Sequence, residues 1–212
     1  FASIVNAVKE GRIVFRNVRQ TSFFLVTTNF ASTLTLIAAI AAGFTYPLLP
    51  TQILWINLVT DGIMDVSLAT EPDHGDIMKH PPLKKGEQIL NKQILPYLFI
   101  IVPVMVTLAL LVFNYYRPEG VEKARTGVFL VVAMTQVFNA FNMRSLNRSV
   151  FSIGFFKNKW IILAFVVSII LQIAAIKLPF IQTIFHFRNI GWLDIVVITL
   201  MSSLVFLLGE LY

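Results

Sequence analysis

The sequence predicts an all-α polytopic membrane helix bundle of six transmembrane helices, the first extended as a cytosolic stalk. Three observations carry that expectation. The 212 residues are 57% hydrophobic and only 13% charged, whereas soluble domains carry roughly 25% charge, and the mean hydropathy is +0.77. The apolar residues gather into segments of roughly 20, enough to cross a hydrocarbon core. The basic residues divide unequally between the connecting loops.

The spans fall at about 22–43, 50–70, 94–115, 127–146, 160–178 and 192–212, so that residues 1–21 form the stalk and 22–212 the transmembrane domain. In the stalk, Ile4, Val8, Phe15 and Val18 share an apolar stripe, and Lys9, Arg12, Arg16 and Arg19 a basic one, at helical spacing. No Gly-Pro break separates it from the first span, and Gly11 alone costs about 1 kcal/mol in a helix. One long helix is expected; a juxtamembrane anchor on anionic lipid is the plainer use of the same residues. The second span is the least hydrophobic. Its following loop, from Glu71 to Pro82, carries turn residues and a Pro-Pro pair that stops a helix. There Asp73, His74, Asp76 and His80 suggest either a metal cluster or, the preferred reading, an exposed turn. Pro96 and Pro103 would kink the third span. The fourth carries Thr135, Gln136, Asn139 and Asn142, and the first Thr27, Thr28, Asn29, Ser32 and Thr33. Each taken singly suits helix–helix hydrogen bonding, worth about 0.6 kcal/mol. Trp160, Trp192, Tyr115 and Tyr116 fit an interfacial aromatic belt, with Trp55 deeper. Lys177 and Asp194 lie near the outer interface, where they would snorkel or pair.

With an internal N-terminus, twelve Lys/Arg fall inside (Lys9, Arg12, Arg16, Arg19, Lys79, Lys84, Lys85, Lys92, Arg144, Arg148, Lys157, Lys159). Five fall outside (Arg117, Lys123, Arg125, Lys177, Arg188). This positive-inside bias places both termini in the cytosol. The net charge of +6 therefore reflects topology, not a nucleic-acid partner; the partner is the lipid bilayer. With no cysteine, disulfides and thiolate metal sites are excluded.

The most informative stretch is Ile53-Leu-Trp-Ile-Asn-Leu-Val-Thr-Asp-Gly62. An ionised carboxylate at that depth is costly and usually faces a bundle interior or a hydrated ion path. Helical spacing puts Asn57, Asp61 and Asp65 on one stripe with Thr60 beside it. Gly62 would let the helix loosen and turn carbonyls toward a cavity, the one place where irregular backbone is tolerated at membrane depth. Carboxylate, amide and hydroxyl oxygens suit Ca²⁺, Mg²⁺ and Mn²⁺, with about six to eight ligands around Ca²⁺. This stripe supplies a minority of such a shell, so other helices must contribute.

Residues 54–71 resemble the sixth transmembrane helix of the P-type cation pumps, especially their calcium-pump branch. In that family this Asn, Thr and Asp give side-chain oxygens to the transported ion, which assigns Asn57, Thr60 and Asp61. Asn29 and Gln136 match further ion-coordinating positions. Ala2-Ser-Ile-Val-Asn-Ala-Val-Lys-Glu-Gly-Arg12 without its last residue's neighbours resembles the segment leaving the phosphorylation domain to enter a stalk that transmits nucleotide-driven motion. The Pro-Pro loop resembles one that docks near that domain.

Departures matter too. Ser32 and Gln136 stand where two-site calcium pumps carry Glu. Both changes remove charge from one of two ion sites and resemble the single-site Golgi-type and plasma-membrane-type pumps. One divalent cation per cycle is implied, Ca²⁺ first and Mn²⁺ second. Met64-Asp65 stands where many members have Pro-Ala; Asp65 is either a ligand on the ion's way in, a counter-charge, or a paired carboxylate near the interface. Because Ser32 and Asp65 depart from the calcium pattern, transport of protons, Na⁺ or K⁺ stays open.

The Asp-Lys-Thr-Gly-Thr phosphorylation motif and an ATP-binding domain do not occur in these residues. The resemblance thus implies the last six spans of a pump, an excised fragment or split product unable to hydrolyse ATP alone. ATP and Mg²⁺ would bind the missing cytosolic domains, and missing N-terminal spans would complete the ion site. A bacterial or archaeal cell membrane is expected. The competing class is a self-contained channel or secondary transporter with Asp61 as the intramembrane carboxylate. Inverted repeats would support it, and the two halves show no convincing similarity. A non-transporting anchor or regulatory subunit would leave Asn57, Thr60 and Asp61 unexplained.

Overall fold

The computed structural model describes residues 2–79, 81, 88–90 and 92–212; His80, Pro82, Lys84 and Lys85, weighed above, lie outside the described residues. Among the described residues every regular element is helical. Helix α1 runs unbroken over Ala2–Ala41, and its 40 residues make a rod of about 60 Å. The segment expected at 50–70 is helical throughout but not uniform: α2 (Pro50–Trp55) passes into a π-helical turn, Ile56–Asp61, and then into α3 (Gly62–Ala69). After a 3₁₀ turn come α4 (Leu95–Tyr116) and α5 (Val121–Asn142). The short α6 (Val150–Ile153) leads to α7 (Lys159–Lys177), which folds back into α8 (Pro179–Phe185). The last segment is divided at Ser203 into α9 (Trp192–Ser202) and α10 (Leu204–Leu211).

Five helical stretches are long and apolar enough to cross a membrane. The sixth expected span is the divided α2–π–α3 segment, whose pieces are individually too short. The chain is therefore a multi-pass helical membrane bundle. Helix α5 begins at Val121, six residues before the apolar stretch that marked it. Its polar first turns are held by Thr126 Oγ1 donating to the Glu122 carbonyl and by Lys123 pairing with Glu119, which hydropathy alone cannot register. Pro96 occupies the first turn of α4, where no intrahelical N–H is required; Pro103 lies in its interior.

Helix α5 is the hub. From Ala124 to Asn142 every residue except Arg125 and Phe138 is buried, as expected of a helix surrounded by others. It packs on α4, α7, α9, α10 and the π turn. Gly127 permits the close approach of α4: a Cβ there would stand 2.8 Å from both Tyr116 and Val112 side-chain atoms. The core has two lobes, one around Phe113, Phe129 and Phe187, the other around Phe23, Tyr97 and Phe141. Outward, Phe99, Leu111, Leu163, Ile170 and Leu200 are exposed, the surface a bilayer would cover.

The stalk end differs from the sequence reading in two ways. The basic stripe of α1 faces protein: Arg12 Nη1 donates to the Ile77 carbonyl at 3.1 Å, Arg16 Nη2 to Pro72 at 2.8 Å, and Arg19 Nη2 to Gln88 at 3.3 Å. Asn17 Nδ2 reaches the Ala69 and Glu71 carbonyls at 3.0 and 2.8 Å. The apolar Ile4, Val8 and Val18 point outward instead.

The loop expected as an exposed turn is, at its start, buried. Glu71 is 3% exposed and receives Arg144 through Nε at 3.0 Å to each oxygen and Nη2 at 2.8 Å, with Asn158 Nδ2 at 2.7 Å and the His74 ring at 3.0 Å. Arg144, counted above as an interface charge, is fully buried and also donates to the Phe155 and Gly154 carbonyls. Gly154 holds φ at +93°, which suits a residue without Cβ. Burial alone would raise the Glu71 carboxyl; hydrogen bonds from His74, Arg144 and Asn158, with the Arg144 charge, outweigh it and hold its pKa below the usual value. Among the described residues no three His, Asp or Glu side chains converge on a metal position. At the opposite end, Lys177 does not pair with Asp194: its Nζ donates to Asn189 Oδ1 at 2.7 Å and to the Ile190 carbonyl, over the Trp192 ring.

Candidate cation site

The π turn is the local feature from which the site is built. Such turns occur mostly singly inside α-helices and concentrate at functional positions. Here it places Thr60 and Asp61 at its end, one residue before Gly62 resumes the α-helix. The break falls where Gly62 suggested loosening, but on the N-terminal side of it. A Cβ on Gly62 would meet nothing within 4 Å, so packing does not require glycine here.

Asp61 is 1% exposed. Its Oδ2 accepts weakly from Thr28 Oγ1 of α1 at 3.4 Å, and its Oδ1 is buried with no partner. A buried polar atom without a partner is uncommon and calls for an explanation such as an ion or water. Asp65, one turn on, is partly buried, and its Oδ1 is also without a partner. Helix α5 packs directly against the π turn, and on it Gln136 is 0% exposed with neither amide atom hydrogen-bonded. On α1, Ser32 Oγ is likewise buried and unpartnered, one turn beyond Thr28. Carboxylate, amide and hydroxyl oxygens from α1, α3, α5 and the π turn thus remain unsatisfied in one region of the bundle. This donor chemistry suits a hard cation.

The other expected residues stand differently. Thr60 is buried, but its Oγ1 accepts from Gln172 Nε2 of α7 at 2.7 Å. Asn57 is exposed, although spacing put it on the Asp61 stripe; α1 covers that stripe at Asp61 through Thr28. Asn29 is exposed too, its Nδ2 turned back to the Leu25 carbonyl at 2.9 Å. Asn29 and Asn57 therefore lie on an open face. Asn139 and Asn142 join Tyr97 in a separate network: Tyr97 Oη donates to Asn139 Oδ1 at 2.5 Å and accepts from Asn142 Nδ2 at 3.0 Å.

Sequence reasoning passed over Gln172. A glutamine in an otherwise apolar span is itself the signal, and Ser168, buried and unpartnered one turn earlier on α7, repeats it.

A multi-pass helical bundle with an unpaired carboxylate beside a helix break, ringed by unsatisfied oxygens, is the build of a membrane protein that handles cations. The chain belongs to the cation transporting ATPase family, whose C-terminal region matches residues 45–212. It is similar to calcium-transporting ATPase 1 of Bacillus cereus, 32% identical over all of this chain and 26% of that protein. It is also similar to calcium-transporting ATPase type 2C member 2 of Rattus norvegicus, 31% identical over all of this chain and 23% of the relative. With calcium-transporting ATPase 1 of Saccharomyces cerevisiae the identity is 33%, over 100% of this chain and 22% of that protein. The chain spans about a quarter of the length of these relatives.

Proposed function

We propose that this chain is the ion-binding and translocating membrane portion of an ATP-driven P-type pump that exports one divalent cation, Ca²⁺ or Mn²⁺, from the cytosol per cycle. The observation that carries this is the pairing of Asp61 Oδ1 and the Gln136 amide, buried atoms without partners on elements in contact. The calcium-transporting relatives favour Ca²⁺ as cargo. Ser32 and Gln136 in place of carboxylates favour a single ion, since each neutral side chain lowers the charge available for a second. Asp61 and Asp65 supply negative charge, Gln136, Ser32 and Thr60 neutral oxygens. Asn29 and Asn57, left exposed, complete the shell from the open face once further spans of the same polypeptide cover it. Polar side chains facing hydrocarbon are unfavourable, so this face is where those spans belong.

Both termini lie in the cytosol, where the basic end of the bundle meets phosphorylation and nucleotide domains that hold ATP and Mg²⁺. Residues 1–21 serve as the stalk, and 22–212 as the transmembrane domain in a cell membrane of bacterial or archaeal type. Ion occupancy then acts at a distance because the states of the pump differ in affinity for the cation. The test uses the complete polypeptide that carries this sequence. Asp61→Asn abolishes Ca²⁺- or Mn²⁺-dependent phosphorylation by ATP while phosphorylation by inorganic phosphate persists. Retained cation-stimulated turnover in that variant removes Asp61 from the site, and stimulation by Na⁺ or K⁺ alone removes the divalent cargo.

A further inference from the structure

Helix α7 is an apolar rod except for two fully buried polar side chains one turn apart, Ser168 and Gln172. Both ends of the Gln172 amide are engaged. Its Oε1 accepts from Trp55 Nε1 at 3.1 Å, and its Nε2 donates to Thr60 Oγ1 at 2.7 Å. An indole N–H can only donate, so Trp55 fixes which end of the amide is oxygen. The NH₂ group is thereby aimed at Thr60.

The two partners flank the irregular turn. Trp55 is the last residue of α2, and Thr60 stands next to last in the π turn. One side chain from a neighbouring helix therefore spans the break. Trp55 is itself held edge-on by Phe185, with ring centroids 5.1 Å apart, and Gln52 Nε2 donates to the Phe185 carbonyl at 3.0 Å. Helices α7 and α8 thus grip the segment before the break at two levels. The lone pair of Thr60 that meets Gln172 is used; its other lone pair and its proton stay available to the interior.

We infer that Gln172 is a positioning residue for the cation site. By bridging Trp55 and Thr60 it holds the π turn whose next residue is Asp61, and so sets cation affinity without touching the cation. This role rests on the Asp61 site proposed above.

The experiment measures phosphorylation of the complete polypeptide by ATP against free Ca²⁺ and free Mn²⁺. Gln172→Leu raises the cation concentration for half-maximal phosphorylation about fivefold, the equivalent of one net hydrogen bond at a factor of ten per about 1.4 kcal/mol. The maximal level and the ATP half-saturation stay unchanged. Thr60→Val produces a rise of similar size, and the double variant rises no further than either, because both remove the same contact. A merely structural glutamine would instead lower the amount of active protein and leave half-saturation alone. Gln172→Met, closer in shape, carries the same expectation should the leucine variant fail to fold. Additive effects, or unchanged cation half-saturation in a folded variant, overturn the role. Asp61→Asn separates the two readings. If it is unresponsive while the Gln172 variants keep ordinary affinity, only Gln172 loses its role. If it still responds, the site itself is overturned.

Discussion

Removing the Glu71 carboxylate leaves Arg144 with its charge buried and only the Phe155 and Gly154 carbonyls as partners. The guanidinium is 0% and the carboxylate 3% exposed, so neither loss is made good by water. Breaking a buried pair from one side costs about 3–5 kcal/mol. The Asn158 amide keeps the Ser67 carbonyl at 3.0 Å, so its loss adds little. Glu71→Ala is accordingly expected to destabilise by about 4 kcal/mol, a large part of the roughly 5–15 kcal/mol that holds a typical fold. Glu71→Gln, which keeps one acceptor oxygen but not the charge, should cost less. The measurement is the thermal midpoint in detergent by size exclusion, paired with amide hydrogen exchange over residues 144–161. Exchange should accelerate there and at Asn17 of α1, whose amide bonds to the Glu71 carbonyl. The double variant Glu71→Met with Arg144→Met should regain most of the loss, since apolar replacement of a whole buried pair is often neutral or better. A Glu71→Ala change under about 0.5 kcal/mol, the range of ordinary surface substitutions, would refute the argument. So would a double variant no better than the single one.

Three further outcomes follow from the same geometry. The carboxyl of Glu71 has its pKa lowered on folding, so its stabilising contribution is complete above the ordinary value of 4.5 and is lost as pH falls through the lower folded value. Exchange protection at 144–161 should therefore be flat from neutral pH to about 4.5 and fall below it, and Glu71→Gln should remove that fall. Gln136→Leu deletes a buried amide with no partner, so stability should hold or rise by up to about 1–3 kcal/mol while cation-dependent phosphorylation is lost; a stability loss together with full cation response would contradict both halves. Gly127→Val forces a Cβ to within 2.8 Å of Tyr116 and Val112, an overpacking cost of about 1–3 kcal/mol; an unshifted thermal midpoint would show that α4 and α5 can separate freely.

The broad architecture was legible because membrane helices announce themselves locally. Twenty apolar residues, an amphipathic stalk without a breaker and a carboxylate at membrane depth are each short-range patterns. What escaped depends on partners far away in sequence. The bond between Glu71 and Arg144 joins residues 73 apart, and nothing in the Glu71–Asp76 stretch distinguishes a buried acceptor from a turn. The link from Thr60 to Gln172 spans 112 residues. Charge counting placed Arg144 at an interface because it could see the charge and not the pocket. The stripe rule grouped Asn57 with Asp61, but exposure depends on where α1 crosses, and spacing says nothing of that. Gly62 marked the region of the helix break, though the π turn itself lies just ahead of it.

A π turn is a register fault: it accommodates one residue more than the regular helix would over the same rise. Each residue of an α-helix turns the chain by about 100°, so α2 and α3 are out of phase by that amount relative to an unbroken rod. Phe185 and Gln172 fix the phase of α2, while Asn158, through the Ser67 carbonyl, fixes that of α3. The fault is trapped between these anchors and cannot glide to either end. Taking out a single residue between Ile56 and Asp61 would heal the helix yet swing one half against its anchors. The segment therefore tolerates substitution far better than any change in length.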